Sequence, residues 1–140
     1  MKKVLVINGP NLNMLGVREP QVYGTASYGE LTDYIQKEAG KLGLLVECFQ
    51  TNHEGAIIDK IQSARGVFDG IIINAGGYTH TSIAILDALT AVGIDTVEVH
   101  LSDIFARESF RRTSYISHAA KKTIAGKGFS GYREALEFFK

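Results

Sequence analysis

Three short stretches of this chain carry the residues with the most chemistry to offer. In Asn74-Ala-Gly-Gly-Tyr-Thr-His-Thr-Ser82 an amide and an imidazole flank a Gly-rich turn, and His80 is able to donate to a ligand oxygen. Val97-Glu-Val-His-Leu101 leads into Ser102-Asp103. Glu98 and His100 stand two apart on an extended segment, so they point to one side, where the carboxylate would orient the imidazole and fix its tautomer. The plainer alternative is a satisfied core histidine, but charged groups sharing one side of an apolar strand near its end favour a site. Arg107 and Arg111 are spaced to share a helix face. They form either a clamp for a carboxylate or phosphate or, with Arg112 beside them, a solvated basic face.

The first loop offers a different kind of group. It reads Asn8-Gly-Pro-Asn-Leu-Asn13, then Arg18-Glu-Pro20, then Tyr23-Gly24. A guanidinium near a phenol favours the phenolate, and a phenolate is a competent general base. A loop tyrosine used only for packing is the alternative. His53 and His118 lack such settings and read as structural or surface residues.

These groups need a scaffold that brings them to one place. Strand-like and helix-like segments alternate along the chain. Val4–Ile7, Leu44–Phe49, Gly70–Asn74, Thr96–Leu101 and a weak Lys122–Ala125 read as strands. Between and after them, helices are predicted from Ser27 to about Gly43, from Glu54 to Arg65, up to about Val92 with His80 near its start, over about 104–112, and from Tyr132 to Phe139. Ser27-Tyr-Gly-Glu30 has capping-box spacing. This alternation predicts a parallel sheet with helices on both faces. In the flavodoxin-like strand order 2-1-3-4-5, the switch point brings Asn8, Asn11, Asn74, His80 and His100 around one crevice. The long loop after the first strand is then a candidate active-site loop.

Composition narrows the class. The 140 residues predict a single domain spanning 1–140. Lys+Arg and Asp+Glu both number 15, so there is no basic excess to suggest nucleic acid. Cys48 is the only cysteine, which fits a reducing compartment, and no apolar run approaches membrane-spanning length; a cytoplasmic protein is expected. No His pair has H-x-x-x-H spacing for a metal, no G-x-S-x-G suggests a hydrolase, and no Walker or G-x-G-x-x-G loop follows the first strand.

Taken in order, Ile7-Asn-Gly-Pro-Asn-Leu-Asn13, Arg18-Glu-Pro20, Val22-Tyr-Gly24, Gln50 with Asn52-His-Glu-Gly55, Asn74-Ala-Gly-Gly77, Thr79-His-Thr-Ser82, Glu98-Val-His-Leu-Ser102, Ala106-Arg-Glu108, Phe110-Arg111 and Ser114-Tyr-Ile-Ser117 resemble type II 3-dehydroquinate dehydratase. Each piece is moderately specific; their ordered co-occurrence over nearly the whole chain is very specific. The resemblance implies a flavodoxin-like three-layer fold, no cofactor and no metal. The implied reaction is an anti elimination of water from 3-dehydroquinate through an enolate, in the shikimate or quinate pathway. It implies that Tyr23 is the base, kept ionised by Arg18, that His100 is the general acid, and that Asn11 holds a water against the enolate oxygen. Asn74, His80, Arg111 and the backbone at Leu101 and Ser102 match substrate-binding positions; Glu98 and Arg107 match supporting ones. Asp87 matches a position that reaches a neighbouring subunit's substrate, within a homododecamer of four trimers. Asp103 stands where the family usually has asparagine, and it suits a helix start. A flavodoxin-like ligand-binding or electron-transfer module is the rival reading; it predicts a yellow, flavin-loaded protein.

Overall fold

The computed structural model describes residues 1–17, 21 and 25–140. Five strands, β1 (Lys3–Asn8), β2 (Leu45–Gln50), β3 (Gly70–Asn74), β4 (Thr96–His100) and β5 (Lys122–Ala125), form one parallel sheet of order β2-β1-β3-β4-β5. The helices are α1 (Tyr28–Lys41), α2 (Glu54–Ser63), α3 (Ile83–Val92) and α4 (Ser130–Phe139). The parallel sheet expected from the alternation is found, in the flavodoxin-like strand order that the family resemblance implies.

Side-chain alternation divides the core into two halves. Val4, Val6, Ile72, Val97 and Val99 face one way, against Leu31 and Ile35 of α1 and Tyr132, Ala135 and Leu136 of α4. Leu5, Ile7, Ile71 and Ile73 face the other, against Ile57 and Ile61 of α2 and Ile85 and Leu89 of α3. Both faces of the inner strands are covered, so β1 and β3 read as near-continuous apolar runs, whereas β4 alternates, with Val97 and Val99 in the core and Glu98 and His100 on its other side. Each fully buried Val, Leu or Ile contributes roughly 1.5–3 kcal/mol. Among the described residues no helix is long and apolar enough to cross a membrane.

Helix ends follow local chemistry. The Ser27 hydroxyl accepts from the Glu30 N–H at 3.1 Å, one half of the expected capping box. Ser82 caps α3 by accepting from Ile85 N at 3.0 Å, and its own proton goes to Glu54 of α2 at 2.5 Å, tying the two helices together. His80 does not open α3; it ends a separate 3-10 turn, Gly76–His80, that precedes the Ser82 cap.

The helix predicted over about 104–112 is absent. Two 3-10 turns, Ile104–Ala106 and Ser109–Arg111, replace it, with Arg107 extended between them. Asp103 does cap the first turn, accepting from Phe105 N at 3.1 Å. Only Ile104 of these two turns is buried, while Phe105 and Phe110 are exposed. Short helices take most of their stability from a packed apolar face, and this segment has none to bury.

Candidate active site

The strand register brings a row of amides to the carboxyl rim of the sheet. Asn8 pairs with Gln50 on one side and with Asn74 on the other, while His100 closes β4 beside Ala125. Parallel strands all end at the same edge, so three amides and an imidazole from distant parts of the chain reach one level. A cleft of about 170 Å³ opens there, and Asn11, Asn74, His80, His100, Leu101, Ser102, Arg107 and Arg111 all line it. Drug-sized ligands occupy roughly 300–1,000 Å³, so this cleft suits a small polar molecule better than a flavin.

The loop after β1 is fastened from two sides. Gly9 N donates to Asn74 O at 2.7 Å, and a Cβ at Gly9 would sit 2.5 Å from the Ala75 carbonyl oxygen, closer than any side chain allows. Asn11 takes a left-handed φ of 71°, which Asn tolerates better than most residues, and its N–H donates to the Asn52 side chain at 3.1 Å. The Gln50 amide reaches Gly9 O, Asn13 Oδ1 and Asn52 Oδ1 at 3.2, 3.3 and 3.2 Å. Gln50 and Asn52 thus brace the loop that presents Asn11, a role that sequence reasoning did not assign to them. Polar residues directly after a predicted strand end were the available signal.

Glu98 and His100 meet as their spacing predicts. The His100 Nε2–H donates to Glu98 Oε2 at 2.5 Å, and both side chains are buried. The Glu98 carboxylate is fully solvated by protein. Ser114 donates to Oε2 at 2.6 Å, while Ser117 and Thr123 donate to Oε1 at 2.6 and 3.0 Å. Burial pushes the Glu98 carboxyl up, but the His100 hydrogen bond and charge, with those of Ser114 and Ser117, outweigh it and hold the group below its ordinary range. With Nε2 committed to Glu98, the nitrogen left for a ligand is Nδ1. Ser114 and Ser117 had appeared in sequence only as parts of a motif; their spacing of three on one turn is the signal that links them.

His80 is oriented from behind. Its Nδ1 bonds the Thr113 carbonyl at 2.8 Å, which leaves Nε2 for the cleft. The Leu101 and Ser102 carbonyls accept from Gly128 N and Gly126 N, both at 3.1 Å, which fixes the peptide planes of this rim segment. Arg111 Nε donates to Glu108 at 2.9 Å, and Arg107 Nε lies 3.8 Å from the same carboxylate. Both arginines line the cleft although they share no helix face: an extended residue and a turn bring them there.

Asp87 is the outlier of the expected set. It lies exposed on α3 and does not line the cleft. Arg18 and Tyr23, the expected pair of the first loop, lie outside the described residues.

Comparison with known proteins bears on this arrangement. Residues 2–140 match the family model described as Dehydroquinase class II. A 3-dehydroquinate dehydratase of Dinoroseobacter shibae is 53% identical over 134 residues, spanning 96% of this chain and 89% of that protein. Catabolic 3-dehydroquinase 1 of Aspergillus terreus is 53% identical over 136 residues, 97% of this chain and 90% of the relative. The crystal structure of type II dehydroquinase from Butyrivibrio crossotus superimposes with a TM-score of 0.96 at 48% identity, covering 98% and 96% of the two chains.

Proposed function

The chain belongs to the class II dehydroquinase family, and from that premise we propose how its own residues carry the reaction. The reaction is the dehydration of 3-dehydroquinate in shikimate or quinate metabolism. The observation that carries the residue assignment is the buried Glu98–His100 pair opening into a cleft also lined by Asn74, His80 and Arg111.

Tyr23, kept ionised by Arg18, removes the proton next to the ketone. The electrons pass into an enolate, whose oxygen needs a preorganised donor; a water held by Asn11 supplies it. Collapse of the enolate expels the hydroxyl on the opposite face, and His100 protonates it from Nδ1, releasing water. The Nε2–H stays on Glu98 throughout, so the ring keeps its orientation as it gives up the other proton. Proton exchange from Tyr23 to His100 through solvent restores both groups. Arg111 and the backbone N–H groups at Leu101 and Ser102 receive the substrate carboxylate, while Asn74 and His80 receive hydroxyls. Arg107 supports Arg111 through their shared contact with Glu108.

The exposed position of Asp87, away from its own cleft, supports a role in an adjacent subunit's site, within a dodecamer of four trimers. Residues 1–140 act as one catalytic domain in the cytoplasm.

The test is the appearance of the conjugated enone by ultraviolet absorbance when protein meets 3-dehydroquinate. His100→Ala is expected to lose most turnover while keeping the fold. Full activity in that variant would move the acid role to His80.

A further inference from the structure

A directed hydrogen-bond chain runs through the core behind the cleft. Tyr132, on α4, is fully buried and does not line the cleft that Asn74 lines. Its hydroxyl donates to Asn8 Oδ1 at 2.6 Å and accepts from Asn74 Nδ2 at 3.2 Å. Asn8, itself fully buried, passes its Nδ2 to the Tyr28 hydroxyl at 3.4 Å. On its other side, Asn74 Oδ1 accepts from Gly76 N at 3.2 Å.

From this geometry we infer that Tyr132 is a positioning residue for substrate binding: its hydroxyl fixes which end of the Asn74 amide faces the ligand. A tyrosine hydroxyl has one proton. Spent on Asn8, that proton leaves only lone pairs for Asn74, so the Asn74 group facing Tyr132 must be the NH2. The Gly76 N–H demands the same orientation independently, because a flipped amide would set donor against donor. Two groups from opposite sides thus specify one rotamer of an amide that has only one N–H and one lone pair left to offer the cleft. Burial pushes the Tyr132 phenol well above the usual range, so it keeps its proton and the chain keeps its direction. None of this requires Tyr132 to touch the substrate.

The inference rests on Asn74 binding substrate, and the experiment separates the two ideas. Steady-state kinetics with 3-dehydroquinate are compared for the wild type, Tyr132→Phe, Asn74→Ala and the double variant. Tyr132→Phe keeps the ring and removes the hydroxyl. It is expected to raise KM roughly three- to tenfold, the worth of one hydrogen bond, with kcat changed less than about twofold. In the Asn74→Ala background the same change should add nothing to KM. An unchanged KM, or an equal rise in that background, overturns the inference. A wild-type KM in Asn74→Ala instead removes Asn74 from substrate binding, and the inference falls with it. Should Tyr132→Phe fail to fold, Asn8 gives a second route. Asn8→Ala frees the Tyr132 proton to turn toward Asn74 and should raise KM; Asn8→Asp, which accepts that proton whether ionised or not, should restore it. Equal KM values for Asn8→Ala and Asn8→Asp would overturn the inference as well.

Discussion

Replacing Glu98 by Gln tests whether a charge or merely a shape holds His100. The carboxylate accepts four hydrogen bonds, at 2.5 and 2.6 Å on Oε2 and 2.6 and 3.0 Å on Oε1. A glutamine fits the same space, but only one of its ends still accepts. Its carbonyl should face His100 and Ser114, because Ser117 and Thr123 are hydroxyls that can rotate and accept from the NH2. The polar groups therefore stay partnered, and what is lost is the charge. Hydrogen bonds to charged groups are worth roughly 1.5–3 kcal/mol and neutral ones about 0.5–1.5. With the full breakage of a buried pair at about 3–5 kcal/mol as a ceiling, the expected loss is about 2 kcal/mol. Denaturant unfolding at fixed protein concentration would measure it.

The pH dependence of that loss gives the sharper test. Folding lowers the Glu98 pKa from 4.5, so as pH falls the unfolded chain takes up this proton first. The stability it contributes is complete at neutral pH, declines as pH drops below about 4.5, and is gone below the folded-state value. The wild type should thus exceed Glu98→Gln by about 2 kcal/mol at pH 7 and by progressively less in acid. Turnover of the variant at pH 7 should fall by roughly a hundredfold, in line with the loss of a well-placed acid. A stability gap that stays constant from neutral pH into acid, or near-native turnover, would refute the reasoning.

Two other outcomes follow from the residue assignments. Tyr23→Phe should lower turnover by at least about a hundredfold while a non-reacting substrate analogue still binds; retained turnover would place the base elsewhere. Asp87→Ala should weaken substrate binding, and native mass spectrometry should find the wild type as a multiple of three chains; a fully active monomer would contradict both statements.

Much of this protein is legible in the order of its residues. Val4–Ile7 and Ile71–Ile73 announce inner strands because a parallel sheet covered on both faces favours apolar residues on both. The period of two along β4 places Glu98 and His100 on one side before any fold is known, and their hydrogen bond follows from that period. The ordered motifs then fix the family. Tertiary structure decided what local pattern leaves open. The segment after Asp103 has helical arginine spacing, yet it forms two short turns, because helix stability depends on a buried face that this segment lacks. Arg107 and Arg111 still reach the cleft by another backbone path. The partners of Glu98 come from Ser114, Ser117 and Thr123, and those of Asn74 from Gly76 and Tyr132. Asn74 and Tyr132 stand 58 residues apart. Sequence specifies which groups exist and which way each strand turns them. A buried polar group finds its partner only when the packed core brings a complementary donor or acceptor within hydrogen-bond reach.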